Sequence, residues 1–383
     1  MTNVLSAVQK NEFLNRGFSR RNLGKAASLL AAGAALPFYN EPALAQLSMI
    51  GKLPDDAVKI NANENPLGPC PEAAEAIYSV VKKGGRYLYE ETFDFAKILA
   101  EVEGVKPTYV QPYPGSSDPL HRAVLAFTSP EKPLVMGDPG YEAGARAARF
   151  IGAQVIQVPL KPDFSHDVKA MVKASPNAGL IYICNPNNPT GTLTSRADIE
   201  WVLANKPAGS ILLLDEAYIH LSHNATAGSD LVAADKDIII LRTFSKLYGM
   251  AGLRAGAAIG RPDLIAKLSG YGAGALPVTG MVGASASLKV KTLVPERRAI
   301  IRNIREDVFA WMEKKNYTFV RSESNKFMVD VKRPGAEISK AMAAQKVFIG
   351  RVWPSWPTYV RVSIGTKEEM AKFKVAFEKS MEA

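Results

Sequence analysis

Residues 242–256 read Arg-Thr-Phe-Ser-Lys-Leu-Tyr-Gly-Met-Ala-Gly-Leu-Arg-Ala-Gly. They sit between two apolar runs, 238–241 and 257–259. A short apolar run bounded by turn residues reads as a buried strand, so Lys246 falls in a Ser/Thr- and Gly-rich turn beyond a strand's carboxyl end. Ligands of open α/β sheets gather at that edge. A lone lysine is ordinarily a solvated surface residue, so the meaning of Lys246 depends on what the rest of the chain brings.

Upstream, the same pattern recurs. Leu-Leu-Leu-Asp-Glu-Ala-Tyr at 212–218 puts Asp215 at the end of another apolar run. Asn185-Pro186-Asn187-Asn188-Pro189-Thr190-Gly191 follows the run 180–184 and is a dense turn signal. Gly115-Ser116-Ser117-Asp118-Pro119 leads into a helical pattern. Proline suits the first turn of a helix, and the free N–H groups there suit a phosphate. Strand-like runs at 133–136 and 154–158 flank a helical pattern at 143–150.

Buried strands alternating with helices imply an α/β fold, a mostly parallel sheet covered by helices on both faces. Near residue 281 the pattern changes. A helical stretch from 283 to 315 is followed by alternating segments at 327–331 and 359–364, then a last helix. This predicts a smaller α+β domain over 281–383, a large domain over 76–280, and a proline-punctuated arm over 46–75.

Composition narrows the function classes. The 383 residues are 47% hydrophobic and 22% charged, as in a globular protein with a sizeable core rather than a fibre or a disordered chain. No apolar run reaches the roughly 20 residues of a membrane-spanning helix. Cys70 and Cys184 are the only cysteines and there are four histidines, which disfavours zinc sites and a disulfide framework. His220 and His223 have a ligand-like spacing but no third partner, and no metal is expected. The net charge of +10 is spread along the chain without a long basic block, so no nucleic-acid partner is expected.

The first 45 residues read as an export leader. Ser19, Arg20, Arg21, Leu23 and Lys25 precede a mildly apolar stretch at 26–38, and Ala43-Leu44-Ala45 offers a cleavage site after Ala45. The pattern resembles a twin-arginine signal, which implies the export machinery as a partner and a periplasmic location. The plainer alternative is an amphipathic N-terminal helix.

In order and spacing, the motifs from about 58 to 383 resemble the fold-type I pyridoxal-phosphate aminotransferases of class I and II. Within them the chain is most similar to the histidinol-phosphate aminotransferase branch. The resemblance implies an aspartate-aminotransferase-like fold, pyridoxal 5'-phosphate as cofactor, and a homodimer. The implied reaction moves an amino group between an amino acid (or related amine) and a 2-oxo acid. Lys246 matches the Schiff-base lysine and proton carrier, and Asp215 the carboxylate under the pyridine nitrogen. Tyr218 and Asn188 match the pair that hydrogen-bonds the ring hydroxyl, and Tyr141 the stacking aromatic. Ser116, Ser117, Asp118, Thr243, Ser245 and Arg254 match the phosphate cup. Tyr87 matches a residue that reaches the neighbouring subunit's phosphate. Arg361 and Arg351, with Asn188, match the substrate-binding set.

Two stretches depart from the branch: 114–119 reads Pro-Gly-Ser-Ser-Asp-Pro, and 352–358 reads Val-Trp-Pro-Ser-Trp-Pro-Thr. The two indoles beside Arg351 imply discrimination among substrate side chains, with a flat or cationic group favoured over a phosphate. The alternative reading is an amino-acid oxidase or other tailoring enzyme on the same scaffold. A relic that binds a ligand without turnover is disfavoured by the joint presence of Lys246 and Asp215.

Overall fold

The computed structural model describes residues 4–32, 36, 41–44, 53–272 and 276–382. Twelve strands are present: β1 Val58–Ile60, β2 Val110–Tyr113, β3 Leu134–Asp138, β4 Val155–Pro159, β5 Leu180–Cys184, β6 Ile211–Asp215, β7 Ile238–Thr243, β8 Gly256–Gly260, β9 Thr318–Val320, β10 Lys326–Asp330, β11 Val347–Ile349 and β12 Tyr359–Ser363. β2 through β8 form one seven-stranded sheet in the order β2-β8-β7-β6-β5-β3-β4. Strands β3 to β7 run parallel, while β8 is antiparallel to both β7 and β2. This is the mostly parallel α/β sheet expected from the sequence.

The central strands β5, β6, β7 and β8 are buried at every position, without alternation. Both faces are covered, which is why Leu-Ile-Tyr-Ile-Cys and Ile-Leu-Leu-Leu-Asp read as unbroken apolar runs. The parallel strands share one direction, so the carboxyl ends of β5, β6 and β7 lie side by side. Asn185–Gly191, Asp215 and Lys246 therefore converge from distant parts of the sequence. β2 gave no sequence signal because it contains Pro112. It is an edge strand, where a missing N–H is tolerated.

A second sheet, β12-β10-β9, is antiparallel. β1 pairs in parallel with β11, tying the arm to the C-terminal part. The helical stretch expected from 283 to 315 is two helices, Val278–Lys289 and Leu293–Lys314. The first packs on helices Pro71–Val81 and Tyr89–Glu103. The second carries Pro295 in its first turn, where an intrahelical N–H is not needed.

The N-terminal residues, expected from the sequence to be an export leader, form two helices. Helices Ala7–Asn15 and Arg20–Ala32 dock on the body, burying Phe13, Phe18, Ala26 and Leu29. Arg16 Nη2 donates to the carbonyls of Leu125 at 2.7 Å and Thr128 at 2.5 Å, and Gln9 Nε2 donates to Gly270 O at 2.7 Å. Arg20 and Arg21 stay exposed. Ala45 and the side chain of Ala43 lie outside the described residues, and with them the cleavage site. Among the described residues no helix is long and apolar enough to cross a membrane.

Candidate active site

A cavity of about 260 Å³ opens at the carboxyl edge of the sheet. Ser116, Ser117, Tyr141, Asn188, Asp215, Tyr218, Thr243, Ser245, Lys246 and Arg254 all line it, joined by Glu41, Ala62, Glu64 and Cys184. Ten residues singled out from the sequence thus meet around one space.

Lys246 sits just past β7, 8% exposed. Its Nζ donates to Ala62 O at 3.4 Å and lies 5.6 Å from the Tyr218 ring centre. Burial disfavours the ammonium and outweighs the nearby Glu41 carboxylate, bringing the amine from 10.5 to about 8. The arm holds this turn in place. Asn65 Nδ2 donates to Leu247 O at 2.7 Å, and Gly249, at φ 68°, lies so close to the Gly68 backbone that a Cβ would collide with it.

Asp215 ends β6 and is 3% exposed. It accepts from Tyr182 Oη at 2.8 Å and from Ala217 N at 3.1 Å. Burial pushes its carboxyl up, and these two donors with Lys246 and Lys326 only partly offset that. A buried carboxylate short of cationic partners, facing a cavity, suits a protonated ring nitrogen.

The opposite chemistry gathers at Arg254. Its Nη1 donates to Ser245 Oγ at 3.2 Å and its Nη2 to Pro114 O at 3.1 Å. Thr243 Oγ1 donates to Ser245 Oγ at 2.9 Å. Gly115, at φ 90°, gives the guanidinium room, since a Cβ there would run into Arg254. Ser116 precedes helix Ser117–Phe127 without a side-chain capping bond, and the helix's first N–H groups open at the same place. One guanidinium, four hydroxyls and a helix start fit a phosphate group. Cation-lined cup, lysine and buried carboxylate together fit pyridoxal phosphate.

The Asp118 carboxylate points away from the cup. Asp118 does not line the cavity, and its carboxylate takes a forked pair of hydrogen bonds from Arg122, at 2.9 and 3.2 Å. A carboxylate aimed at a phosphate would be repelled, whereas four residues along a helix it meets an arginine. Tyr87 is also outside the cavity, 78% exposed and stacked on Tyr89 with centroids 5.5 Å apart.

Arg361 is fully buried on β12. Its Nη1 donates to Asn188 Oδ1 at 3.1 Å and its Nη2 to Asn61 O at 2.6 Å and Glu41 Oε1 at 2.5 Å. Arg351 pairs with Glu142 at 2.7 Å and Glu41 at 3.4 Å. Arg361 Nε and Arg351 Nε have no acceptor among the described residues. Trp353, 1% exposed, backs both guanidinium groups at 4.5 and 5.5 Å and donates from Nε1 to Gly140 O at 2.9 Å. Trp356 turns away to pack against Phe164 and Tyr359.

Sequence reasoning missed Glu41, Glu142 and Lys326. Lys326, at the start of β10, is fully buried with Nζ 3.1 Å from the Tyr218 ring centre. Burial holds its amine far below the usual lysine range. These three reach the site only through tertiary folding, and their local sequence carries no sign of it. Among the described residues no group of three His, Cys, Asp or Glu side chains could hold a metal.

The chain matches the aminotransferase class I and II family over residues 55–377. It is 30% identical over 325 residues to histidinol-phosphate aminotransferase of Moorella thermoacetica, covering 83% of this chain and 84% of that one. It is 32% identical to the aromatic amino acid aminotransferase of Nocardia farcinica, covering 84% and 91%. The solved histidinol-phosphate aminotransferase of Sinorhizobium meliloti, in complex with pyridoxal-5'-phosphate, shares the fold with a TM-score of 0.79 at 24% identity, covering 89% and 94%. The chain belongs to the class I and II aminotransferases and is a pyridoxal-phosphate-dependent transaminase.

Proposed function

We propose that this enzyme moves an amino group between a free amino acid and a 2-oxo acid in the cavity around Lys246. The observation that carries this is the buried lysine amine, placed between Asp215 and the Arg254 cup. The cofactor, when bound, acts as an electron sink that stabilises charge at the substrate's α-carbon.

The remaining work falls to this chain's own residues. Ser116, Ser117, Thr243, Ser245 and Arg254 hold the phosphate. Asp215 would pair with the ring nitrogen and favour its protonated form. Tyr141 would stack on the ring, and Tyr218 and Asn188, which line the same cavity, would hold the ring hydroxyl. Lys246 would hold the cofactor's aldehyde carbon, and its amine is the group placed to move a proton at the substrate α-carbon. An amine near 8 is basic enough to take that proton and neutral often enough to attack. Arg361 takes the substrate carboxylate, and its unpaired Nε allows a two-pronged hold. Arg351, Glu142 and Trp353 bound the side-chain end. The paired Arg351 and Glu142 leave little net positive charge there, which favours an uncharged or cationic side chain over a phosphate.

Two further readings belong to this proposal. Tyr78, Val81, Tyr87, Tyr89 and Phe93 are each more than half exposed, an apolar surface fit for a second copy and a homodimer. The exposed Arg20 and Arg21 fit recognition by the twin-arginine machinery, with a periplasmic destination. Replacing both by Lys should stop export, read by fractionation.

The deciding experiment screens amino donors against the purified protein by cofactor absorbance, with and without 2-oxo acid. Donor-dependent bleaching reversed by a 2-oxo acid supports transfer. Keto product formed with dioxygen and no acceptor would replace it with the oxidase reading.

A further inference from the structure

Glu41 is the most unexpected group in the site. It lies in the leader, yet it is 7% exposed and lines the same cavity as Lys246. Its two oxygens divide between the two arginines, Oε1 on Arg361 Nη2 at 2.5 Å and Oε2 on Arg351 Nη2 at 3.4 Å. The charge of Lys246 also acts on it. Burial raises the Glu41 carboxyl, but these three cations together hold it below the ordinary glutamate value, so it is ionised at neutral pH.

The leader's docking delivers it there. Phe13, Phe18 and Leu29 are buried, Arg16 is bonded to two carbonyls of the body, and Lys25 lies 5.6 Å from the Phe150 ring centre. Glu41 follows Ala32 by nine residues, so the docked helices act as a tether. A short tether presents its group at an effective concentration on the order of millimolar.

We propose that Glu41 is an internal competitor for the substrate carboxylate, set by the docked leader on the arginine pair that an amino acid must use. This rests on the assignment of Arg361 to the substrate carboxylate. The fit is incomplete in a telling way. Glu41 uses one terminal nitrogen of each arginine and leaves both Nε atoms without an acceptor. A free carboxylate can take Nη and Nε of one guanidinium together. The tethered group therefore holds the site by proximity and yields to a ligand that binds in two-pronged fashion, or to removal of the leader. A chain that carries its leader is thereby kept weak toward amino acids.

The test uses the full chain, as wild type, Glu41→Gln and Glu41→Ala. Maleate, a dicarboxylate without an amine, is titrated calorimetrically, and the KM for the best amino donor is measured on the cofactor-loaded protein. Competition predicts that both variants bind maleate at least tenfold more tightly than wild type and show a KM lowered by a similar factor. Unchanged or weaker maleate binding in both variants would overturn the proposal, as would a raised KM, which would make Glu41 a productive part of the site. The maleate titration is run on cofactor-free protein. Failure of the protein to take up pyridoxal phosphate would therefore count against the transaminase reading alone, while the maleate result still decides the role of Glu41.

Discussion

The buried amine of Lys246 makes a quantitative prediction. Its pKa of about 8 against 10.5 for a free lysine means a larger neutral fraction at pH 7. At that pH the neutral fraction is roughly one in ten rather than one in three thousand, a gain of about 300-fold. The neutral amine is the species that attacks an aldehyde, so covalent uptake of pyridoxal phosphate by cofactor-free protein should be correspondingly fast. Uptake is followed by borohydride trapping across pH 6 to 11, with a lysine-containing peptide as reference to cancel the cofactor's own ionisations. The ratio of protein rate to peptide rate should be largest at low pH. It should fall once pH passes the protein's midpoint near 8 and level off above the peptide's. Glu41 favours the ammonium, so Glu41→Gln should move the midpoint lower still. A ratio independent of pH would mean that Lys246 titrates like a solvated lysine, and the cavity would then be wet and the reasoning wrong.

Four further outcomes follow from the same geometry. Asp215→Asn should keep phosphate binding yet lower kcat by on the order of 10²–10³, the usual effect of deleting one preorganised electrostatic partner; a loss under tenfold in steady-state assays would remove Asp215 from under the ring. Arg361→Ala should lower kcat/KM by about 2–5 kcal/mol for every donor alike, as truncating one side of a buried charge pair does, and a donor-selective loss would reassign it to side-chain recognition. Gly115→Ala places a Cβ on the Arg254 guanidinium and should weaken cofactor affinity by about tenfold, or about 1.4 kcal/mol, in a fluorescence titration. Glu103, bonded to the buried Arg242, is held at about 2 against 4.5. Its contribution to stability is full above the unfolded value and is lost as pH falls from 4.5 toward 2, so Glu103→Gln should flatten that acid limb in thermal melts.

The sheet was readable because its strands are buried on both faces. Continuous runs such as 180–184 and 211–215 need no partner to be recognised, and the turn residues after them mark the functional edge. Their parallel order then decides which turns become neighbours. β2 escaped notice because Pro112 and four residues give no pattern, and its existence depends on β8 offering an edge. The break at 290–292 had one local sign, Pro295, which suits a helix's first turn and not its interior, but the apolar pattern around it reads on as a single helix.

The site divides along the same line. Lys246, Asp215 and Arg254 were legible because each lies beside a strand end with a chemical reason to be there. For Asp118 the sequence shows where the carboxylate goes: Arg122, four residues on, is its partner, which leaves to a phosphate only the backbone N–H in the helix's first turn. Glu41, Glu142 and Lys326 had no such local sign. They arrive from the short N-terminal helix Glu41–Leu44, the end of a turn and the small sheet, and their meaning lies in charge balance. Arg351 and Arg361 are buried cations that would be costly to leave alone, and Glu142 neutralises only one of them. Beside Arg361 the anion is Glu41, added to the neutral oxygens of Asn188 and Asn61. Here the chain provides it from a segment that also carries an export pattern. A carboxylate that guards the pair is stabilised by the very charge that will bind substrate, so the strength of inhibition and the strength of substrate binding rise together. A weakened Arg361 variant should accordingly lose both the Glu41 effect and maleate binding, whereas a weakened leader dock, such as Phe13→Ala, should lose the first and gain the second.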